Sequence, residues 1–171
     1  MTTDGTRTAT LISLLRHTAQ LMVADLIERL TAAGYRDLSA AMHPVFENID
    51  REGTRLTDLA ARADMTHQSM GELIDTLEQR GYVERRPDPA DGRARLVCFT
   101  NKGRQMARTA LREIDAIEAE WTRSWTDAGL RSDLGHALEY ALAQKRPTTS
   151  TPTAQRLNAA ARPRPRAQTR H

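Results

Sequence analysis

The sequence predicts a mainly α protein that carries one small β-hairpin. Three observations lead there. Apolar residues recur at steps of three and four through most of the first 145 positions, the spacing that lays a stripe along a helix. Across residues 82–99 the pattern changes to two short strand-like runs around a turn-rich segment. The composition is 39 % hydrophobic but only 4 % aromatic and is rich in Ala, Leu, Arg and Glu, which favours helices over a β-sandwich.

The first helix is expected from Leu11 to Ala33, with Leu11, Leu15, Met22, Leu26 and Leu30 on its stripe, Leu14 and Leu21 widening it, and Gly34 as its stop. Ser39 is a candidate cap for a second helix to about Ile49, with Ala41, Val45, Phe46 and Ile49 facing inward. Pro44 makes that helix start late or kink. Thr57 is the expected cap of a short helix whose apolar face is Leu59, Ala60 and Ala63. After a tight Asp64-Met65 connection, Thr66 caps a longer helix to about Arg80. Its buried face is Met70, Leu73, Ile74 and Leu77, at i, i+3, i+4 and i+7.

Gly81 then precedes two strands, Tyr82 to Arg86 and Leu96 to Phe99, flanking PDPADGRA. That stretch is longer than a two-residue turn, so its tip is expected to project into solvent. Thr100 caps a long helix to about Trp125 with Leu111, Ile114, Ile117, Trp121 and Trp125 on one side. A last helix, roughly 129–143, carries Leu130, Leu134, Leu138 and Leu142 at steps of four.

Two short helices, a tight turn, then a hairpin with arginines in its loop is the order of a winged helix-turn-helix, here with flanking helices. Such a unit reads base edges with polar side chains at the start of its second helix. That start is Thr66, His67, Gln68 and Ser69, all able to hydrogen-bond. Arg93 and Arg95 follow Asp91-Gly92 at the hairpin tip, with Arg85 and Arg86 at its base, and a slim arginine-bearing hairpin suits a narrow minor groove. Lys102 and Arg104 are candidate phosphate contacts.

From about Leu38 to Gly103 the sequence resembles the multiple-antibiotic-resistance regulator (MarR) family. The likeness is carried by LTDLAARADMTHQSMGELIDTLEQRGYVERRPDPADGRARLVCFTNKG, which holds the helix-turn-helix, the GYVERRPDPADGRA wing and the T-x-KG opening of the next helix. The resemblance implies a transcriptional regulator, in its repressor form, acting as a homodimer on duplex DNA at a pseudo-palindromic site. It gives Thr66, His67, Gln68 and Ser69 recognition roles and Asp91 and Arg93 wing roles. It also implies a small aromatic ligand that sits between the dimer helices and the DNA-binding lobe and releases DNA. His17, Met22, Met42, His43 and Phe46 are the candidate lining, with ordinary packing as the competing reading. Glu72 and Gly71 depart from the family pattern. Gly71 is read either as permitting a close backbone approach or as simply tolerated.

The expected organisation is a flexible stretch at 1–8, a dimerisation helix at 9–37, the winged lobe at 38–103, C-terminal dimerisation helices at 104–145 and a disordered tail at 146–171. Trp121 and Trp125 are assigned to the dimer interface. The tail holds six of the 25 Lys and Arg and none of the 22 acids, so residues 1–145 are formally −3 and any DNA contact must be local or lie in the tail.

Cys98 is the only cysteine and lies in an apolar run, which suits a small buried hydrophobe better than a redox sensor. It also points to a reducing compartment. No signal-like or membrane-spanning pattern is seen, so a cytoplasmic protein is expected, away from membranes. No phosphate-binding glycine loop, HExxH or nucleophile elbow is present, which argues against an enzyme, a metal site or a cofactor. The competing class is a winged helix that holds a partner protein and no longer binds DNA. The acidic balance of 1–145 and Glu72 support it, and the arginine wing argues against it.

Overall fold

The structure, a computed structural model, describes residues 9–145; the segments expected to be flexible at 1–8 and disordered at 146–171 lie outside the described residues. Helix α1 (Leu11–Ala32) begins where Thr10 accepts the Ser13 amide on its hydroxyl. A single 3₁₀ turn (Ala40–Met42) runs into α2 (His43–Asn48), with Pro44 in its first turn, where no amide is needed. Strand β1 (Thr54–Arg55) leads directly into α3 (Leu56–Arg62). Helix α4 (His67–Gln79) precedes strands β2 (Val83–Asp88) and β3 (Asp91–Phe99). Helices α5 (Asn101–Asp127) and α6 (Leu134–Lys145) close the described chain.

The mainly helical class with a small antiparallel sheet is as the sequence predicts. Several local expectations need correction. The sheet has three strands in the order β1-β3-β2, because Thr54 and Arg55 pair with Val97 and Leu96. That pairing draws the chain into α3 early, so Arg55 rather than Thr57 stands at the N-cap. Ala41 is exposed and Met42 buried, since the tighter 3₁₀ turn rotates Met42 inward. The two wing strands run further than expected and leave only Pro89 and Ala90 between them. At the other end, α5 reaches Asp127 and α6 starts at Leu134, leaving Leu130 in the connection.

One core joins the lobe to α1 and α5. Met70, Ile74 and Leu77 from α4 are fully buried with Val45, Ile49 and Leu59, while Leu26 and Leu30 of α1 meet Met106, Ala107, Ala110 and Ile117 of α5. Phe46 stacks on Phe99 with ring centroids 6.0 Å apart and meets Tyr82 edge-on at 6.2 Å. By contrast, the first half of α1 leaves Leu11, Ile12, Leu14, Leu15 and Leu21 exposed, and α6 leaves Leu138, Tyr140 and Leu142 exposed.

A polar knot ties the helical frame to the lobe. The Tyr82 hydroxyl donates to Asp37 Oδ1 at 2.5 Å, and Arg80 donates to the Asp37 carbonyl. Lys102 donates to the Arg80 carbonyl at 2.8 Å and lies 4.0 Å from the centre of the Tyr82 ring and 3.6 Å from the Asp37 carboxylate. The Tyr82 hydroxyl bond, helped by Lys102, holds the Asp37 carboxyl below the usual carboxylate range. Burial, with Asp37 beside it, pushes the Tyr82 hydroxyl up.

A depressed carboxyl contributes stability that is fully present above its unfolded value, about 3.9, and is lost as pH falls through the folded value. Asp37→Asn will therefore melt below wild type at pH 7, and the gap will close as pH drops below about 4. Thermal melts at pH 7 and pH 3 that show the same gap would contradict this.

Candidate nucleic-acid interface

Helix α4 is aimed by its buried stripe and fixed at its start by a cap. The chain turns at Asp64, whose φ of 52° is left-handed, and the Met65 amide closes the turn on the Ala60 carbonyl at 2.9 Å. The Thr66 hydroxyl accepts the Ser69 amide at 3.1 Å and lies 2.9 Å from the Ser69 hydroxyl. Because Met70, Ile74 and Leu77 are anchored beneath, His67 and Gln68 are held outward at the exposed tip. The Gln68 amide donates to Glu72 one turn on, at 3.1 Å.

Gly71 makes no close approach. A Cβ there would meet only Leu56 Cδ1, at an ordinary 3.7 Å. It is a tolerated glycine, and Gly71→Ala will stabilise the fold by about 1 kcal/mol. A melting temperature no higher than wild type would refute that.

In the wing, the hairpin ladder is regular from Val83–Phe99 to Pro87–Arg95 and then slips, so that Asp88 faces Asp91. Gly92, Arg93 and Ala94 thus bulge out of β3 without ladder partners. Arg93 and Arg95 are both exposed there, and neither has a side-chain partner among the described residues.

The other expected contact residues are already engaged. Arg85 is half-buried in the middle of β2 and reaches back to α4, pairing with Asp75 at 2.5 Å and with Glu78, whose other oxygen accepts the Arg85 amide at 2.9 Å. Arg86 pairs with Glu84. Asp91 is exposed but engaged, its Oδ1 accepting the Arg93 amide at 3.1 Å. Lys102 belongs to the Asp37–Tyr82 knot, and Arg104 donates to the Phe99 carbonyl at 2.6 Å and to Asn101.

The structure adds two residues that sequence reasoning missed, Arg55 and Asp88. Arg55 Nε and Nη2 both donate to Asp88 Oδ2, at 2.8 and 2.6 Å. The available signal was a pair of wing carboxylates, Asp88 and Asp91, with no stated counter-charge; nothing local pointed to a cation 33 positions upstream.

Of the residues assigned to a ligand crevice, His43 and Phe46 line an apolar cavity under α1, α2 and α5, together with Leu26, Leu30, Met106 and Ile114. It encloses about 20 Å³, room for roughly one water. His17, Met22 and Met42 do not line it: His17 is exposed far up α1, Met22 is half-buried above and Met42 is buried in the core. Trp121 and Trp125 lie with ring centroids 5.7 Å apart on α5, half-buried. Cys98 is buried, its sulfur 3.6 Å from the Glu52 carbonyl. Among the described residues no helix is long and apolar enough to cross a membrane, and no group of three or more His, Cys, Asp or Glu is placed to hold a metal.

Comparison with known proteins agrees with this arrangement. The model of the MarR family matches residues 36–94, the stretch from the Asp37 knot to the wing tip. The transcriptional regulator HosA of Escherichia coli O111:H- is 30 % identical over 111 residues, covering 63 % of this chain and 82 % of HosA. Among solved structures, CouR of Rhodococcus jostii RHA1, bound to p-coumaroyl-CoA, superposes with a TM-score of 0.64 at 23 % identity, over 82 % of this chain and 95 % of CouR. A mutant form of E. coli MarR complexed with operator DNA superposes with a TM-score of 0.61 at 24 % identity, over 79 % and 92 % of the two chains. At those identities the superpositions show a common fold, and the relation to HosA shows descent. The chain belongs to the MarR family, whose members are transcriptional regulators and not enzymes.

Proposed function

We propose that this protein is a homodimeric, sequence-specific repressor that binds duplex DNA at a pseudo-palindromic operator and is released by a small aromatic ligand. The observation that carries the DNA reading is the pairing pattern of the wing. Arg55, Arg85 and Arg86 are matched to acids, whereas Arg93 and Arg95, at the protruding bulge, are left without acidic partners among the described residues. Uncompensated guanidinium groups on a slim finger gain most where phosphates crowd a narrow groove. The exposed tip of α4 supplies the second contact. His67 and Gln68, with Thr66 and Ser69 behind them, enter the major groove while Arg93 and Arg95 take the adjacent minor groove. Arg85, Arg86 and Asp91 shape the wing rather than touch DNA.

Dimerisation is supported by the apolar side chains left exposed on the first half of α1 and on α6, Ile12 at 80 % and Tyr140 at 64 % exposure among them. A second copy is the natural cover for such faces, and it places two lobes on half-sites about 10 bp apart. Ligand control is supported by the cavity at His43 and Phe46, which lies where α1, α2 and α5 meet above the lobe. At about 20 Å³ it must open to admit an aromatic ring, and that opening is the movement that would part the lobe from the helical frame. CouR, of the same fold, was solved with p-coumaroyl-CoA.

The test is selection of duplexes from a random-sequence pool by the purified chain, with light scattering to measure its mass. Enrichment of a palindrome by a dimer is the expected result. Failure to enrich any sequence would favour a protein-binding winged helix instead. Phenolic acids titrated onto the selected complex will release the duplex.

A further inference from the structure

We propose that Arg55, on β1, is a positioning residue for DNA recognition: one guanidinium that shapes the wing tip and thereby aims Arg93. This rests on the reading of the wing as a DNA contact.

The hairpin ladder cannot hold the tip, because Gly92, Arg93 and Ala94 have no partners across it. Two carboxylates hold it instead. Asp88 Oδ1 accepts the Ala90 amide at 2.9 Å, and Asp91 Oδ1 accepts the Arg93 amide at 3.1 Å. The oxygens left over face a single cation: Arg55 donates twice to Asp88 Oδ2 and places Nη2 3.6 Å from Asp91 Oδ2. Each acid thus bonds a tip amide with one oxygen and faces Arg55 with the other. The Ala90 amide, then Arg55, holds the Asp88 carboxyl below its usual range, in keeping with a permanently charged clamp.

Two physical consequences follow. Asp88 is only 8 % exposed, and a buried carboxylate stripped of its counter-charge is costly, so the tip keeps this shape only with Arg55 in place. Arg55 also occupies acids that would otherwise compete for the tip's own arginines. Without it, Asp88 and Asp91 would be unmatched anions at the base of the bulge and would draw Arg93 and Arg95 away from phosphate. Arg55 is not itself suited to the DNA. Set against two carboxylates, it leaves the cluster with a net negative charge, which phosphate repels.

The experiment measures the affinity of wild type, Arg55→Ala, Arg93→Ala and the double variant for the duplex selected by the wild-type chain, over a series of salt concentrations. Thermal melts check folding. Arg55→Ala will weaken binding about tenfold or more, and the double variant will lose less than the product of the two single losses, because both changes remove the Arg93 contact. Hydroxyl-radical footprinting will show minor-groove protection lost under the wing while major-groove protection under α4 remains. Asp88→Asn, nearly the same size but with an amide NH2 in place of the oxygen that accepts Arg55, will lose the same wing protection even where Arg55→Ala folds poorly. Wild-type affinity in Arg55→Ala and Asp88→Asn beside a weakened Arg93→Ala overturns the proposal, as do losses that multiply in the double variant. Wild-type affinity in Arg93→Ala instead removes the wing reading beneath it.

Discussion

Gly103→Ala will destabilise the protein by about 3 kcal/mol, near the top of the usual range for overpacking, and lower its melting temperature by roughly 10 °C. Gly103 sits in the first turn of α5, where its amide donates to the Thr100 hydroxyl at 3.0 Å. A Cβ there would lie 2.0 Å from the Tyr82 carbonyl oxygen and 2.9 Å from Phe99 Cδ1. Neither neighbour can step aside cheaply. The Tyr82 carbonyl already accepts the Thr100 amide at 3.0 Å, and Phe99 is stacked on Phe46 in the core.

The relief must come from α5 itself, which would lift away from the start of β2 and loosen both the Thr100 cap and the Lys102 contact with Tyr82. Since α5 also carries the packing against α1, DNA affinity will fall along with stability. Gly92→Ala is the control, because a Cβ at that position meets nothing within 4 Å. A Gly103→Ala protein melting within about 2 °C of wild type, the shift expected of well under 1 kcal/mol, would show that the helix start can shift freely.

What could be read from the sequence was what is local. Thr66 and Thr100 announce their helices because a cap needs only a hydroxyl three residues before the amide it accepts, and both make that bond. Met70, Ile74 and Leu77 announce their face because one helix repeats its own spacing. Strand β1 could not be read. It is two residues long, too short for any periodicity, and it exists because β3, separated from it in the chain by α3, α4 and β2, offers it an edge. The Arg55–Asp88 clamp hides for the same reason.

The wing arginines show the boundary most clearly. Their residue type marks the hairpin as a candidate for phosphate, yet which of them are uncommitted depends on acids outside the loop. Asp75 and Glu78 of α4 take Arg85, Glu84 takes Arg86, and none of this is encoded in spacing along the loop. The ligand-lining set fared similarly. His43 and Phe46 share a short helix that packs over the cavity, while His17 lies too far up α1 to reach it.

Arg93→Ala will weaken operator binding between about tenfold and a hundredfold and reduce the steepness of its salt dependence by roughly one counterion per subunit, while leaving the melting temperature unchanged. Competing partners decide what each arginine gains from DNA. A guanidinium already matched to a carboxylate gives up that pairing to reach DNA, so little is gained and few counterions are released. Arg93 is exposed, sits on a bulge and, among the described residues, has only its backbone amide engaged, by Asp91. Its charge is therefore available in full, and removing it disturbs nothing in the fold. Arg85→Ala separates the two effects in the opposite sense. Losing the Asp75 and Glu78 ion pairs loosens β2 from the end of α4, leaving the bond from the residue-85 amide to Glu78, so the protein will melt lower while the slope of binding against salt stays as it was. If instead Arg85→Ala flattens the salt dependence and Arg93→Ala leaves it intact, the assignment of contact and support within the wing is reversed. Titrations of both variants over a series of salt concentrations, alongside their melts, decide between the two.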